Sequence, residues 1–439
     1  MPLNRRTFLS ASALATPLLT SGSQLASAAP RPGTAADSTA ADSTGPPGSG
    51  PVPGRDVRPG ADVLADDGWK RLAGRKVGVL SNPTGVLVSG DHIVDSLIAA
   101  GVRPVAAFGP EHGFRGSAQA GGSEGDYEDP RTGIPVYDAY GATIDELARM
   151  YRKSGVDTVV FDIADVGSRF YTYIWAMYEG MVAAGRVGVE FVVLDRPNPV
   201  GGSAFGPMLD PKFSSGVGLK PIVQQHGMTA GELARFFNGE FLPDDGGKLD
   251  NLDVVEIHGW KRDRLFAQTD LVWTPPSPNM PTPTTALAYP GTCLFEGTAF
   301  SEGRGTTSPF EIMGAPGVDW RWREALQEQN LPGVSFRETY FVPTFGKFTG
   351  EQCGGVQLNI TDPHAFEPIR TGIAMIVTAK QVHPELFGWR EDNFIDKLFG
   401  SDRLRTMVNA GAGTGEIIGS WSDELAGFRR NRDQYLIYR

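Results

Sequence analysis

The stretch Val102-Arg-Pro-Val-Ala-Ala-Phe-Gly-Pro-Glu-His-Gly-Phe-Arg-Gly116 decides the fold. A short, mostly apolar run stops at Gly109-Pro110. An acid, an imidazole and a guanidinium follow within five residues: Glu111, His112 and Arg115. Glycines at 109, 113 and 116 allow sharp turns there. A strand that runs into a polar, glycine-rich turn is how an α/β protein builds a ligand site, at the carboxyl ends of its parallel strands.

Outward from this stretch, apolar runs alternate with helical periodicity. Lys76-Val-Gly-Val-Leu-Ser81, Val102 to Phe108, Thr158-Val-Val-Phe-Asp-Ile163 and Glu190-Phe-Val-Val-Leu-Asp195 read as strands. His92 to Ala100, Ile144 to Lys153 and Tyr173 to Ala184 read as helices. Continuous apolar strands separated by helices predict a parallel sheet covered on both faces, a Rossmann-like α/β domain. Asn82-Pro-Thr-Gly85 stands where a dinucleotide site would carry Gly-x-Gly-x-x-Gly, and no phosphate-cradling Gly-Lys-Ser/Thr loop occurs, so no cofactor is expected. Thr229 with Glu232 three residues later marks the start of a helix running to Asn238. Leu252 to His258 reads as a further strand, and Thr274 to Pro283 as a rigid, extended connector. Beyond residue 305, helices (Trp320 to Gln329, Pro368 to Gln381) mix with a strand (Gly355 to Ile360), which predicts a smaller α+β domain. The expected domains are 61–305 and 306–439.

The first sixty residues stand apart. Asn4-Arg5-Arg6-Thr7-Phe8-Leu9, an apolar stretch from Ala11 to Leu19, and Ala26-Ser27-Ala28 have the layout of a twin-arginine signal peptide over 1–28. The apolar stretch is too short and too interrupted to remain in a bilayer. The expected location is therefore outside the cytoplasmic membrane, extracellular or in the wall or periplasmic space. Residues 29–60 are rich in Pro, Gly, Ala, Ser, Thr and Asp and are expected to be an unfolded linker. A formal charge of −11 without a basic run argues against nucleic acid as a partner. The two cysteines, Cys293 and Cys353, suit one disulfide or two buried thiols equally.

Polar clusters recur where strands end. The second strand leads to Glu111, His112 and Arg115; the third to Asp162, Asp165, Arg169, Tyr171 and Tyr173; the fourth to Asp195 and Arg196. Leu294 to Gly305 repeats the pattern with Glu296, Glu302 and Arg304. In a parallel sheet such ends share one rim. No histidine stands in a His-Glu-x-x-His spacing, so a metal held by His112 or His226 with Asp162 or Asp165 is the minor reading, and His226 is expected to hydrogen-bond a ligand or the backbone. Gly121-Gly-Ser-Glu-Gly125 matches a nucleophile-elbow pattern but lacks the strand before it and the helix after it, and reads as a loop over the cleft. Carboxylate chemistry remains. Cleaving a glycosidic bond needs a protonated acid and a second group that activates water or attacks the sugar. Glu111, between Pro110 and Phe114, reads as the acid, its pKa raised by partial desolvation. Asp165 or Glu302 is the second group. The competing reading has Glu111 merely braced by Arg115.

Several stretches together resemble the NamZ family of exo-acting β-N-acetylmuramidases, glycoside hydrolase family 171. They are Phe108 to Gly116, Phe161 to Tyr173, Leu194 to Gly202, Gln225-His-Gly-Met-Thr229, Pro276-Ser-Pro-Asn-Met-Pro281 and Tyr289 to Gly305. The resemblance implies a Rossmann-like domain joined to a smaller C-terminal domain, with the active-site cleft between them. It implies release of N-acetylmuramic acid from the non-reducing end of peptidoglycan-derived glycans, and it places the family's motif glutamate on Glu111. That sugar carries a lactyl carboxylate, which arginine binds through two parallel hydrogen bonds. One of Arg115, Arg169 and Arg304 is expected to make that contact. Tyr171, Tyr173 or Phe114 is expected to stack on the sugar, with His112, Asp162, Asp195 and His226 among the substrate-binding groups.

Overall fold

A computed structural model describes residues 56–116, 118–119 and 121–439, all within one compact unit. The signal peptide expected at 1–28 and the linker as far as residue 55 lie outside the described residues. The linker's expected last five residues belong to the fold: Val57 is fully buried, Arg58 pairs through its backbone with His258, and Gly60 opens a helix.

The strands are β1 (Val77–Ser81), β2 (Ala106–Gly109), β3 (Tyr127–Glu128), β4 (Pro135–Asp138), β5 (Thr158–Asp162), β6 (Glu190–Leu194), β7 (Phe205–Met208), β8 (Val223–Gln225), β9 (Leu252–Val255), β10 (Ile312–Ala315), β11 (Val334–Phe341) and β12 (Cys353–Ile360). The main sheet has the order β3-β4-β2-β1-β5-β6-β9, parallel throughout except for the short edge strand β3. The parallel strands thus reverse their winding between β1 and β5, the Rossmann arrangement, in which ligands sit beyond the carboxyl ends at that point.

Side chains alternate across the strands and feed two helical layers. Leu80, Phe108, Phe161 and Val193 pack with the helices Ile144–Ser154 and Tyr173–Val187. Val79, Ala107, Val160 and Val192 pack on the opposite face with Ile93–Ala99. Phe108 is fully buried, edge-on to Tyr151 at 4.9 Å. Truncating it to alanine would cost about 3–5 kcal/mol. The capping box expected at Thr229 and Glu232 is present, starting the helix Ala230–Glu240. The strand β4 has no counterpart in the sequence reading, because four residues opening on a proline carry too little periodicity to stand out.

A second, smaller lobe holds the antiparallel sheet β10-β12-β11 and the helix Pro368–Val382. The expected boundary at 305 cuts through its packing. The helix Pro283–Thr292 lies against Pro368–Val382 so closely that a Cβ at Gly291 would stand 1.8 Å from the Pro368 carbonyl. The segment from 283 to 305 therefore goes with the second lobe. One hydrophobic core runs through both lobes, from Phe108 to Ile373. Both cysteines are buried and free. No helix among the described residues is long and apolar enough to cross a membrane.

Candidate active site

Glu111 stands one turn beyond β2. Its Oε1 accepts the Gly121 N–H at 2.8 Å and its Oε2 accepts the Thr172 hydroxyl at 2.9 Å. Both donors are neutral, and no ion pair to Glu111 is found among the described residues. Thr172 is the residue before the helix Tyr173–Val187, so the carboxyl is held at the start of that helix. His112 fixes the turn. It adopts a left-handed backbone (φ 71°), its amide donates to the Gly122 carbonyl, and its Nδ1–H reaches the Ala118 carbonyl at 3.1 Å. These bonds draw the glycine-rich loop onto Glu111. Ser123 in that loop donates to Asp138, which is no nucleophile arrangement.

Glu111 and His112 line a cavity of about 140 Å³ between the lobes. The first lobe adds Tyr171, Thr172 and Tyr173; the second adds Tyr289, Cys293, Glu296 and Arg304. The Tyr171 ring is edge-on to Tyr173 at 5.2 Å and to Tyr289 at 5.8 Å, and its buried hydroxyl has no partner among the described residues. Burial holds that hydroxyl firmly protonated, reinforced by Tyr173, Asp165 and Glu111. Glu296 is the second carboxyl in this cavity. Burial pushes its pKa up, against the pull of Arg304, whose Nη2 lies 2.7 Å away.

A second cavity, of about 320 Å³, opens on the same rim beyond β1, β5 and β6. Asp165 lines it. The Asp165 Oδ2 accepts the Gly167 N–H at 2.8 Å and faces His226 Nε2 at 3.1 Å. His226 Nδ1 accepts the Met228 N–H, so the imidazole proton sits on Nε2 and points at Asp165.

The remaining residues expected at the site are drawn elsewhere by their neighbours. Arg115 turns away from Glu111 and forms two parallel bonds with Asp129, at 3.1 and 2.8 Å, and two with Asp95. Phe114 is fully buried, edge-on to His92, and offers no face to a sugar. Arg169 is wholly buried and donates to the carbonyls of Pro207, Ile222 and Leu398. Asp162, also wholly buried, is clasped by Arg196 at 2.5 and 2.7 Å. Asp195 accepts from Thr229, Gly231, Arg196 and Tyr438, tying the chain's end to the first sheet. Glu302 pairs with Lys347 at 2.9 Å and Arg304 at 3.4 Å and lines neither cavity. Of the three candidate arginines, only Arg304 faces the Glu111 cavity. Among the described residues no group of three His, Cys, Asp or Glu side chains is placed to hold a metal ion.

Sequence reasoning did not select Glu296, Thr172 or Tyr289. Glu296 lies in the same Leu294 to Gly305 stretch as Glu302, and nothing in the spacing says which of the two turns inward. Thr172 is adjacent to Tyr171 and Tyr173, but its role depends on the helix starting at that residue.

Two family models match the chain: exo-β-N-acetylmuramidase NamZ, N-terminal, over residues 77–284, and its C-terminal counterpart over 287–438. The chain is 46% identical over 385 residues to the peptidoglycan β-N-acetylmuramidase NamZ of Bacillus subtilis strain 168, spanning 87% of this chain and 91% of that one. Two crystal structures of DUF1343 family proteins from Bacteroides fragilis share the fold. One has a TM-score of 0.81 at 32% identity, covering 88% of this chain and all of that chain. The other has a TM-score of 0.71 at 30% identity, covering 88% of this chain and 99% of that chain.

Proposed function

This chain belongs to the NamZ family of exo-β-N-acetylmuramidases, and from that premise we propose that it cuts terminal N-acetylmuramic acid from peptidoglycan-derived glycans in the cavity that holds Glu111. One observation carries the reading. The glutamate of the family-like turn faces a carboxyl from the opposite lobe across an interlobe cavity, and its own oxygens are held by neutral donors rather than spent in an ion pair.

The chemistry follows from those two carboxyls. Glu111 donates its proton to the glycosidic oxygen as the bond from that oxygen to C1 breaks. Water attacks C1, and the Glu296 carboxylate takes the proton that water loses. Arg304 keeps Glu296 ionised, while burial makes it the stronger base. Arg304 also stands where a lactyl carboxylate can share its guanidinium.

Export fits this substrate. The twin-arginine layout of residues 1–28 supports delivery beyond the cytoplasmic membrane, to the space that holds the wall. The direction of attack is tested with a pair of isomeric disaccharides. N-acetylmuramyl-N-acetylglucosamine should be split to free N-acetylmuramic acid, and N-acetylglucosaminyl-N-acetylmuramic acid should be left whole. Cleavage of the second and not the first would overturn the reading.

A further inference from the structure

Positive charge gathers in one place on this acidic chain. An open recess of about 540 Å³ forms where the loop after β6 (Gly202 to Ala204), the loop after β9 (Lys261 to Asp263) and the helix Ser422–Arg432 meet. The Gly202 N–H donates to the Arg262 carbonyl at 2.8 Å and joins the two loops. Lys261, Arg262, Arg429, Arg432 and Arg439 line the recess, against a single acid, Asp263. In a chain of formal charge −11 this is a local reversal of sign. None of these residues lines the Glu111 cavity.

The partners of these cations set them apart from the ion-paired arginines elsewhere. Arg262 has the carboxylate of Glu232. Arg429 gives its Nε and Nη2 to the Ala204 carbonyl, at 3.2 and 2.6 Å. Arg432 gives its Nη1 to the carbonyls of Gly202, His226 and Gly227, at 3.1, 2.9 and 2.8 Å. The Lys261 ammonium has no partner among the described residues. Arg432 is only 8% exposed, and a guanidinium so enclosed ordinarily meets a carboxylate. Here Nε is buried without a partner. Nη2 makes no bond among the described residues and is not enclosed, so it is left open to a ligand. Burial, with Arg262 and Arg429 close by, pulls the Arg432 pKa down to about 10, while Asp433 and Glu232 act on it only from a distance.

Carbonyl oxygens position a guanidinium without neutralising it. An anion would neutralise Arg429, Arg432 and Lys261 together. A phosphate group carries its oxygens around one centre, so each can accept from a different donor, and it matches the arginine fork. A carboxylate offers two oxygens in one plane and cannot answer three donors as well.

We propose that this recess binds a phosphate group through Lys261, Arg429 and Arg432. Free phosphate and a phosphodiester chain present the same oxygens, and titration calorimetry tells the two sources apart. The probes are inorganic phosphate and a short poly(glycerol phosphate) chain, and the tighter of the two names the source. Binding to wild-type protein should be saturable and should weaken as salt rises. Arg432→Gln should weaken it by about tenfold or more. Lys261→Ala with Arg429→Ala, which changes only exposed side chains and so spares the fold, should do the same. Saturable binding of neither probe, or binding unchanged in the double variant, would overturn the site. Acetate binding as tightly as phosphate would overturn the class of ligand. Either failure leaves the Glu111 reading untouched.

Discussion

Glu111 and Arg115 sit four residues apart in one turn and have opposite fates. Glu111 faces the cavity between the lobes, its oxygens held by an amide and a hydroxyl. Arg115 faces away and is sealed between Asp95 and Asp129. The same division runs around the rim. Asp162, Arg169 and Asp195 are wholly buried and held by the scaffold. Glu296, Tyr171 and Asp165 face cavities, and the last two keep a polar atom unpartnered. Charged residues near a site thus divide into those that hold its shape and those that act in it. What separates them is whether the side chain faces a cavity, not the residue type.

The sharpest break of that division exchanges the two members. Glu111→Gln should lower kcat by 10³-fold or more, about 4 kcal/mol of barrier, with little change in thermal midpoint. Arg115→Met should do the reverse. It strands the carboxylate of Asp129, itself only 1% exposed, and should lower unfolding stability by roughly 2–3 kcal/mol, read by denaturant titration.

A finer test lies across the cavity. The Glu296 pKa is raised above its ordinary 4.5 by burial, so the carboxylate needed as base is lost as pH falls through that raised value. The acid limb of the kcat/KM profile should therefore lie above pH 4.5. Glu296→Gln should remove that limb and lower the rate by about 10–100-fold. An acid limb unchanged in the variant would assign it to another group. The mildest change is Arg304→Lys, which keeps the charge but loses the paired geometry. KM for muramic-acid-terminated substrates should rise about tenfold, or roughly 1.4 kcal/mol.

The sheet was legible because its strands are continuous apolar runs buried on both faces, as in Thr158–Asp162 and Val77–Ser81. The turn at Glu111 was legible because a Gly-Pro stop followed by three polar residues has few other uses. Orientation was not. Sequence places Arg115 beside Glu111, but the pairing with Asp95 and Asp129 depends on residues up to 20 positions away on other elements. The choice between Glu296 and Glu302 likewise depends on Lys347, brought in by a loop after β11 to claim Glu302. The sequence supplied the inventory of charged groups, and tertiary packing assigned their partners.

The most direct test is to incubate N-acetylmuramyl-N-acetylglucosamine with wild-type protein and with Glu111→Gln and to weigh the products by mass spectrometry. The account predicts free N-acetylmuramic acid from the wild type and intact disaccharide from the variant. Free N-acetylmuramic acid released by the variant at the wild-type rate would contradict it.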